Sequence, residues 1–129
     1  MIRAALALVL IAGTAQGAVL QERTETGTGA VLRGLDKLTG HVTDLEVDNG
    51  GYVTFGRVTI GMAECRYPEG DPAGDAFAFL SIAENNGTDV FQGWMVASSP
   101  ALNPMDHARY DVWVLRCKTA SGTASSGTE

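Results

Sequence analysis

The chain has 129 residues, a mean hydropathy of +0.05, nine Lys/Arg against fifteen Asp/Glu, and two cysteines. That length suits one domain of ordinary size. The acidic balance repels a phosphate backbone and so argues against a nucleic-acid partner, and no basic amphipathic stretch points to a membrane surface.

Arg3, the apolar run Ala4–Ala12 and the small residues of Ala15-Gln16-Gly17 have the layout of a secretory signal peptide, cleaved near Gly17. The run is far short of the ~20 apolar residues that span a bilayer, although an uncleaved anchor is the alternative. No cysteine stands at the cleavage site, which argues against a lipoprotein. The expectation is a periplasmic protein, exported and not membrane-spanning once the signal (1–17) is removed. The mature chain then has 112 residues and, with Arg3 gone, a net charge of −7.

Residues 18–29 (AVLQERTETGTG) are polar and aperiodic and read as a flexible N-terminus. Residues 119–129 (TASGTASSGTE) read as a disordered tail, which leaves 30–118 as the folded β-domain. Within it, Ala30–Asp36 and His41–Val47 are short β-branched runs. Asp48-Asn49-Gly50-Gly51 is a hairpin-type turn signal, and Tyr52–Phe55 follows. Val53 and Phe55 lie on one parity, whereas Val58, Ile60 and Met62 lie on the other. Gly56 at the switch therefore marks a bulge or sharp bend. Arg57–Glu64 is the next strand, Arg66–Gly74 a Pro/Gly loop, and Asp75–Glu84 a strand closed by the turn Asn85-Asn86-Gly87. Val90–Ala97 and Arg109–Cys117 complete the set. In the last, Trp113, Leu115 and Cys117 fall on one face and Tyr110, Val112 and Val114 on the other. The sum is an all-β single domain, a small sandwich or barrel of about seven short antiparallel strands.

In an exported chain, Cys65 and Cys117 read as a disulfide, with two buried free thiols as the alternative. Closing a loop of 52 residues would stabilise by about 4 kcal/mol in the chain-entropy model. No metal-binding spacing and no phosphate-cradling loop is present, so no metal or cofactor is expected.

Ser98-Ser99-Pro100 followed by Asp106-His107 invites a serine–histidine reading. The serines lack the Gly-x-Ser-x-Gly elbow, and a strand-to-turn exit accounts for them. Asp106, His107, Arg109, Tyr110 and Asp111 form the densest polar cluster. As a binding edge it would use Arg109 as an anion contact and Tyr110 as a stacking surface. As a braced loop it would pair Arg109 with Asp111, and this second reading is preferred. Tyr52, Tyr67, Trp94, Tyr110 and Trp113 raise the possibility of a sugar platform. In so small a domain, however, tryptophans that each cover about 150–250 Å² are more economically core residues. Asn86-Gly87-Thr88 fits a glycosylation acceptor and, more simply, a turn. The candidate binding surface is accordingly Trp94, Ser98, Ser99, Asp106, His107, Arg109 and Tyr110, with no catalytic residue assigned.

Several of these stretches also resemble a known family. Phe55-Gly-Arg-Val-Thr-Ile60 leading to Cys65, Phe91-Gln-Gly-Trp-Met-Val-Ala-Ser-Ser-Pro-Ala-Leu-Asn103, Asp106-His107, and Tyr110-Asp-Val-Trp113 to Cys117 are similar to the exported alphaproteobacterial proteins grouped as domain of unknown function 2155. The likeness runs over Gly51–Lys118, and its most specific part is Gly-Trp-Met-x-Ala-Ser-Ser-Pro-x-Leu. The chain departs from the family's pattern at Ala108, where a proline is expected, and in the proline content of Arg66–Gly74. The resemblance implies no activity. The functional expectation is a non-catalytic binding or accessory module for an envelope protein complex. The alternative is a carbohydrate- or peptidoglycan-binding module or weak glycan hydrolase.

Overall fold

The computed structural model describes residues 23–120 and 122–123; the segment read as a signal peptide (1–17) and the end of the tail (124–129) lie outside the described residues. Nine strands are present among the described residues: β1 (Thr24–Thr26), β2 (Gly29–Asp36), β3 (His41–Asp48), β4 (Tyr52–Phe55), β5 (Val58–Pro68), β6 (Phe77–Glu84), β7 (Asp89–Val96), β8 (Tyr110–Thr119) and β9 (Gly122–Thr123). One turn of 3-10 helix covers Pro100–Leu102. Every pairing is antiparallel. The larger sheet runs β1-β5-β6-β7 with β4 also on β5, and the smaller runs β3-β2-β8-β9. The two share no strand and face each other across one core, so the architecture is a sandwich.

That core is aliphatic and sulfur-rich. Leu32 from β2, Val58, Ile60 and Met62 from β5, Leu80 and Ile82 from β6, and Val112 and Val114 from β8 are buried in a single cluster. Neither tryptophan belongs to it, against the expectation that both would be core residues. β6 shows why. Its inward phase is Ala78, Leu80 and Ile82, and its outward phase is Phe77, Phe79 and Ser81. The small alanine sits opposite Cys65, where the sheets are tied together and a ring would not fit.

The disulfide forms between Cys65 and Cys117, with Cα atoms 5.6 Å apart, and it joins β5 of one sheet to β8 of the other. Each cysteine reaches the core face by the same device. The β5–β6 register shifts by one residue between Met62 and Cys65. The β8–β2 register shifts between Val114 and Arg116. A bulge inserts one residue and flips the parity of everything after it. Cys117 thereby joins Tyr110, Val112 and Val114 on the inner face, not Trp113 and Leu115 as strict alternation implies.

Two connections differ from the sequence reading. Asp48–Gly51 is a turn, closed by Gly51 N–H donating to the Asp48 carbonyl at 2.9 Å. It passes the chain from β3 in one sheet to β4 in the other instead of folding a hairpin. Asn49 within it is a strut: its Nδ2 donates to the Gly27 carbonyl at 2.7 Å and its Oδ1 accepts from Cys65 N–H at 3.3 Å. The polar stretch read as a flexible N-terminus contains β1, laid along Arg66–Pro68, which belong to β5 rather than to a loop. Side-chain hydrogen bonds, invisible to hydrophobic periodicity, hold it. Arg66 donates from Nε to Thr24 Oγ1 and from Nη1 to Thr26 Oγ1, both at 2.7 Å.

Gly56 does mark a sharp bend. With Arg57 it forms the two-residue turn between β4 and β5, at φ +56°. A Cβ there would lie 2.5 Å from the Tyr110 ring, so glycine is required both by the backbone and by its neighbour.

Candidate functional site

The loop between β7 and β8 carries most of the residues singled out from the sequence. Ser98 is held to Asp75, donating its N–H to Oδ1 at 2.9 Å and its hydroxyl to Oδ2 at 2.6 Å. Ser99 begins the 3-10 turn without a side-chain cap, and Asp106 is exposed. His107 points elsewhere. Its Nδ1 accepts from the backbone N–H groups of Arg109 and Tyr110 at 3.0 and 3.1 Å, so the ring proton sits on Nε2 and is donated to Glu84 Oε1 at 2.8 Å. The serine and the histidine therefore have separate partners, and no nucleophile–base pair exists here.

Arg109 pairs not with Asp111 but with Asp36 at the end of β2, through Nε at 3.2 Å and Nη2 at 2.9 Å. This charge-assisted bonding is the main reason the Asp36 carboxyl lies well below its ordinary value, at about 2, with N–H donors from Leu38 and Thr39 adding to it. Lys37 Nζ donates to the His107 carbonyl. Tyr110 is 4% exposed, packed edge-on to Phe55 with centroids 5.4 Å apart, tilted against His107 and covered by the Arg109 guanidinium. The structure thus removes Tyr110 from the surface as a stacking platform and occupies Arg109 as an anion contact. A cleft of about 340 Å³ remains between Arg57, Glu84, Asn85, Asn86 and this cluster. The turn Asn85-Asn86-Gly87 borders it, with Asn86 Oδ1 accepting from Thr88 N–H at 2.9 Å.

Trp94 is separate from that cluster. It lies on the outer face of the larger sheet, 41% exposed, its ring held edge-on against Phe79 at 5.4 Å. The register there aligns Tyr52, Gly61, Ser81 and Gln92 in one row across β4, β5, β6 and β7. Tyr52 is 79% exposed, yet its ring stands over Gly61, where an added Cβ would be 3.0 Å from Cε1. One side of the ring covers the glycine and the other faces solvent. Tyr52, Gly61, Ser81 and Gln92 border, with Thr59, Asp89 and Phe91, a shallow trough of about 580 Å³. Trp94 lies outside it, on the same face of β7 and on the Phe79 side of Gln92. Of this face the sequence reading placed only Trp94 in the candidate surface; Tyr52 was grouped merely with the aromatics, and Phe79, Ser81 and Gln92 were missed. The available signal was the two-phase pattern of β6, in which Leu80 and Ile82 claim the core and leave the phenylalanines outside. Trp113, half-buried on the smaller sheet, borders a third cleft with Pro100, Ala101 and Pro104.

Residues 30–117 match the family of uncharacterised proteins conserved in bacteria, DUF2155. The chain belongs to this family. The match begins at β2 and ends at the second cysteine, so it takes in both sheets and the disulfide. A further relative is the uncharacterised protein RP359 of Rickettsia prowazekii (strain Madrid E), 28% identical over 95 residues that make up 70% of this chain and 61% of that protein. The chain thus spans under two thirds of that relative's length. No solved structure matches. No helix among the described residues is long and apolar enough to cross a membrane.

Proposed function

We propose that this DUF2155 protein is a non-catalytic binding module of the bacterial cell envelope, exported to the periplasm, and that it binds through the outer face of its larger sheet. One observation carries the reading: Tyr52 and Trp94, both large and both substantially exposed, stand on the same sheet face, Tyr52 in the trough and Trp94 beyond its Gln92 edge. Aromatic side chains left on a preformed face supply contact area at little entropic cost, which is the usual composition of a binding centre. The inter-sheet disulfide supports an oxidising compartment. The polar loop, by contrast, braces the fold, which moves the binding surface away from Ser98, His107, Arg109 and Tyr110.

The test is photo-crosslinking in cells from position 92, in the lining of the trough, compared with position 106 on the loop. Adducts from 92 that vanish in Trp94→Ala, with none from 106, are the expected result. Adducts from 106 alone would overturn the assignment of the face.

A further inference from the structure

We infer that the outer face of the larger sheet takes a neutral polysaccharide chain, lying across β4, β5, β6 and β7, with Tyr52 in the trough and Trp94 beyond its Gln92 edge as stacking platforms. The inference rests on the proposed binding face and adds the class of ligand.

The first argument is ring presentation. Tyr52 lies on Gly61, so its free face is flat, accessible and fixed from below. Trp94 is steadied by the edge-on Phe79 and keeps 41% of its surface in solvent. The hydrophobic C–H face of a pyranose ring stacks on such a surface, and a platform held in place loses little entropy on binding.

The second argument is the floor beside the Tyr52 ring. Gly61 contributes no side chain, and Ser81 and Gln92 offer a hydroxyl and an amide group. These groups both donate and accept, which suits ring hydroxyls and suits neither a hydrophobic helix nor a charged strand. Ser81 and Gln92 are exposed and have no side-chain partner in the fold among the described residues, so their hydrogen-bonding capacity is open to a ligand.

The third argument is charge. Among the described residues Asp89 is the only charged residue bordering the trough. A polyanion would meet no cation here and a basic peptide only one carboxylate. A neutral chain meets complementary surface along the whole row. Tyr52 and Trp94 lie on strands three spacings apart, about 14 Å at ~4.8 Å per strand, which fits several sugar units rather than one.

The experiment uses the full chain with Trp113→Phe, which leaves Trp94 as the sole tryptophan. Its emission is followed during titration with a β-linked N-acetylhexosamine tetramer and a β-linked glucose tetramer, and co-sedimentation with purified cell-wall sacculi is measured in parallel. Saturable change in Trp94 emission with either tetramer, weakened about tenfold or more by Tyr52→Ala with the thermal midpoint unchanged, is the expected result. Silence of both tetramers together with no sedimentation on sacculi overturns the saccharide assignment. So does binding that persists in the Tyr52→Ala, Trp94→Ala double variant. Crosslinking from position 92 separates the two levels of failure: a protein adduct there retains the binding face while overturning the saccharide, whereas the absence of any adduct and any glycan binding overturns both.

Discussion

The loop before β8 and the outer face of the larger sheet differ in what their side chains are already doing. In the loop, His107, Arg109 and Ser98 each have a specific partner in Glu84, Asp36 and Asp75, and Tyr110 is enclosed. On the sheet face, Tyr52 lies over Gly61 and Trp94 against Phe79, and both rings keep a large part of their surface in solvent. Dense polarity in sequence therefore marks structural bracing here, and the exposed rings proposed for binding lie where the sequence looks plain. Substitutions should separate the two regions: loop changes should alter stability, and face changes should alter binding.

The largest effect is expected from Tyr110→Ala. The ring fills the space between Phe55, His107 and the Gly56 turn, and large-to-small changes of a buried aromatic cost about 3–5 kcal/mol. Against a typical total of about 5–15 kcal/mol, that is a severe loss, measurable as a fall in the urea midpoint. A midpoint within error of wild type would place Tyr110 among the surface residues and erase the contrast.

His107→Ala should follow. It leaves the N–H groups of Arg109 and Tyr110 without their acceptor and Glu84 without its donor. Each buried group so orphaned costs about 1–3 kcal/mol; because water reaches this cleft, about 2 kcal/mol in all is expected. Ligand binding on the sheet face should be unchanged once the protein is compared at equal folded fraction.

Acid sharpens the same point through Asp36. Its carboxyl is lowered from 3.8 to about 2 in the folded chain, chiefly by Arg109. A depressed carboxylate contributes stability that is fully present above its unfolded value and lost as pH falls through the folded one. The pair's contribution should therefore disappear between about pH 4 and pH 2. In urea titrations across that window, Asp36→Asn should show a shallower decline than wild type, and parallel curves would show that the Arg109 bond does not couple to folding.

The legible part of this fold was the part written in backbone preference. Gly56 at a parity switch, Asn-Gly turns and β-branched runs located most of the strands, and two cysteines in an exported-looking chain indicated the bridge. What could not be read was set by register. One inserted residue in β5 and one in β8 turn both cysteines inward, and no periodicity carries across a bulge. β1 was hidden because Arg66 and threonine hydroxyls hold it, not an apolar face. The proposed face was hard to read for a related reason. Trp94 was in the candidate surface, but the residues that share its face come largely from three other strands, and only the pairing Tyr52-Gly61-Ser81-Gln92 sets those in one row. The Arg109 partner was sought two residues away at Asp111, whereas it comes from the far end of β2.

The smallest effect on stability, and the most informative one, is expected from Tyr52→Ala. The side chain is 79% exposed, has no side-chain hydrogen bond among the described residues and lies over Gly61, so its removal should change stability by no more than about 0.5 kcal/mol. Had the ring been placed there to protect the β4–β5 pairing, the urea midpoint would fall by clearly more than that, because β4 is a four-residue strand with little else on its outer face. A midpoint that stays put while binding falls would mean that the ring is kept for what it touches outside the chain. A midpoint that drops would return Tyr52 to the same structural category as Tyr110 and leave Trp94 as the single exposed anchor on this face.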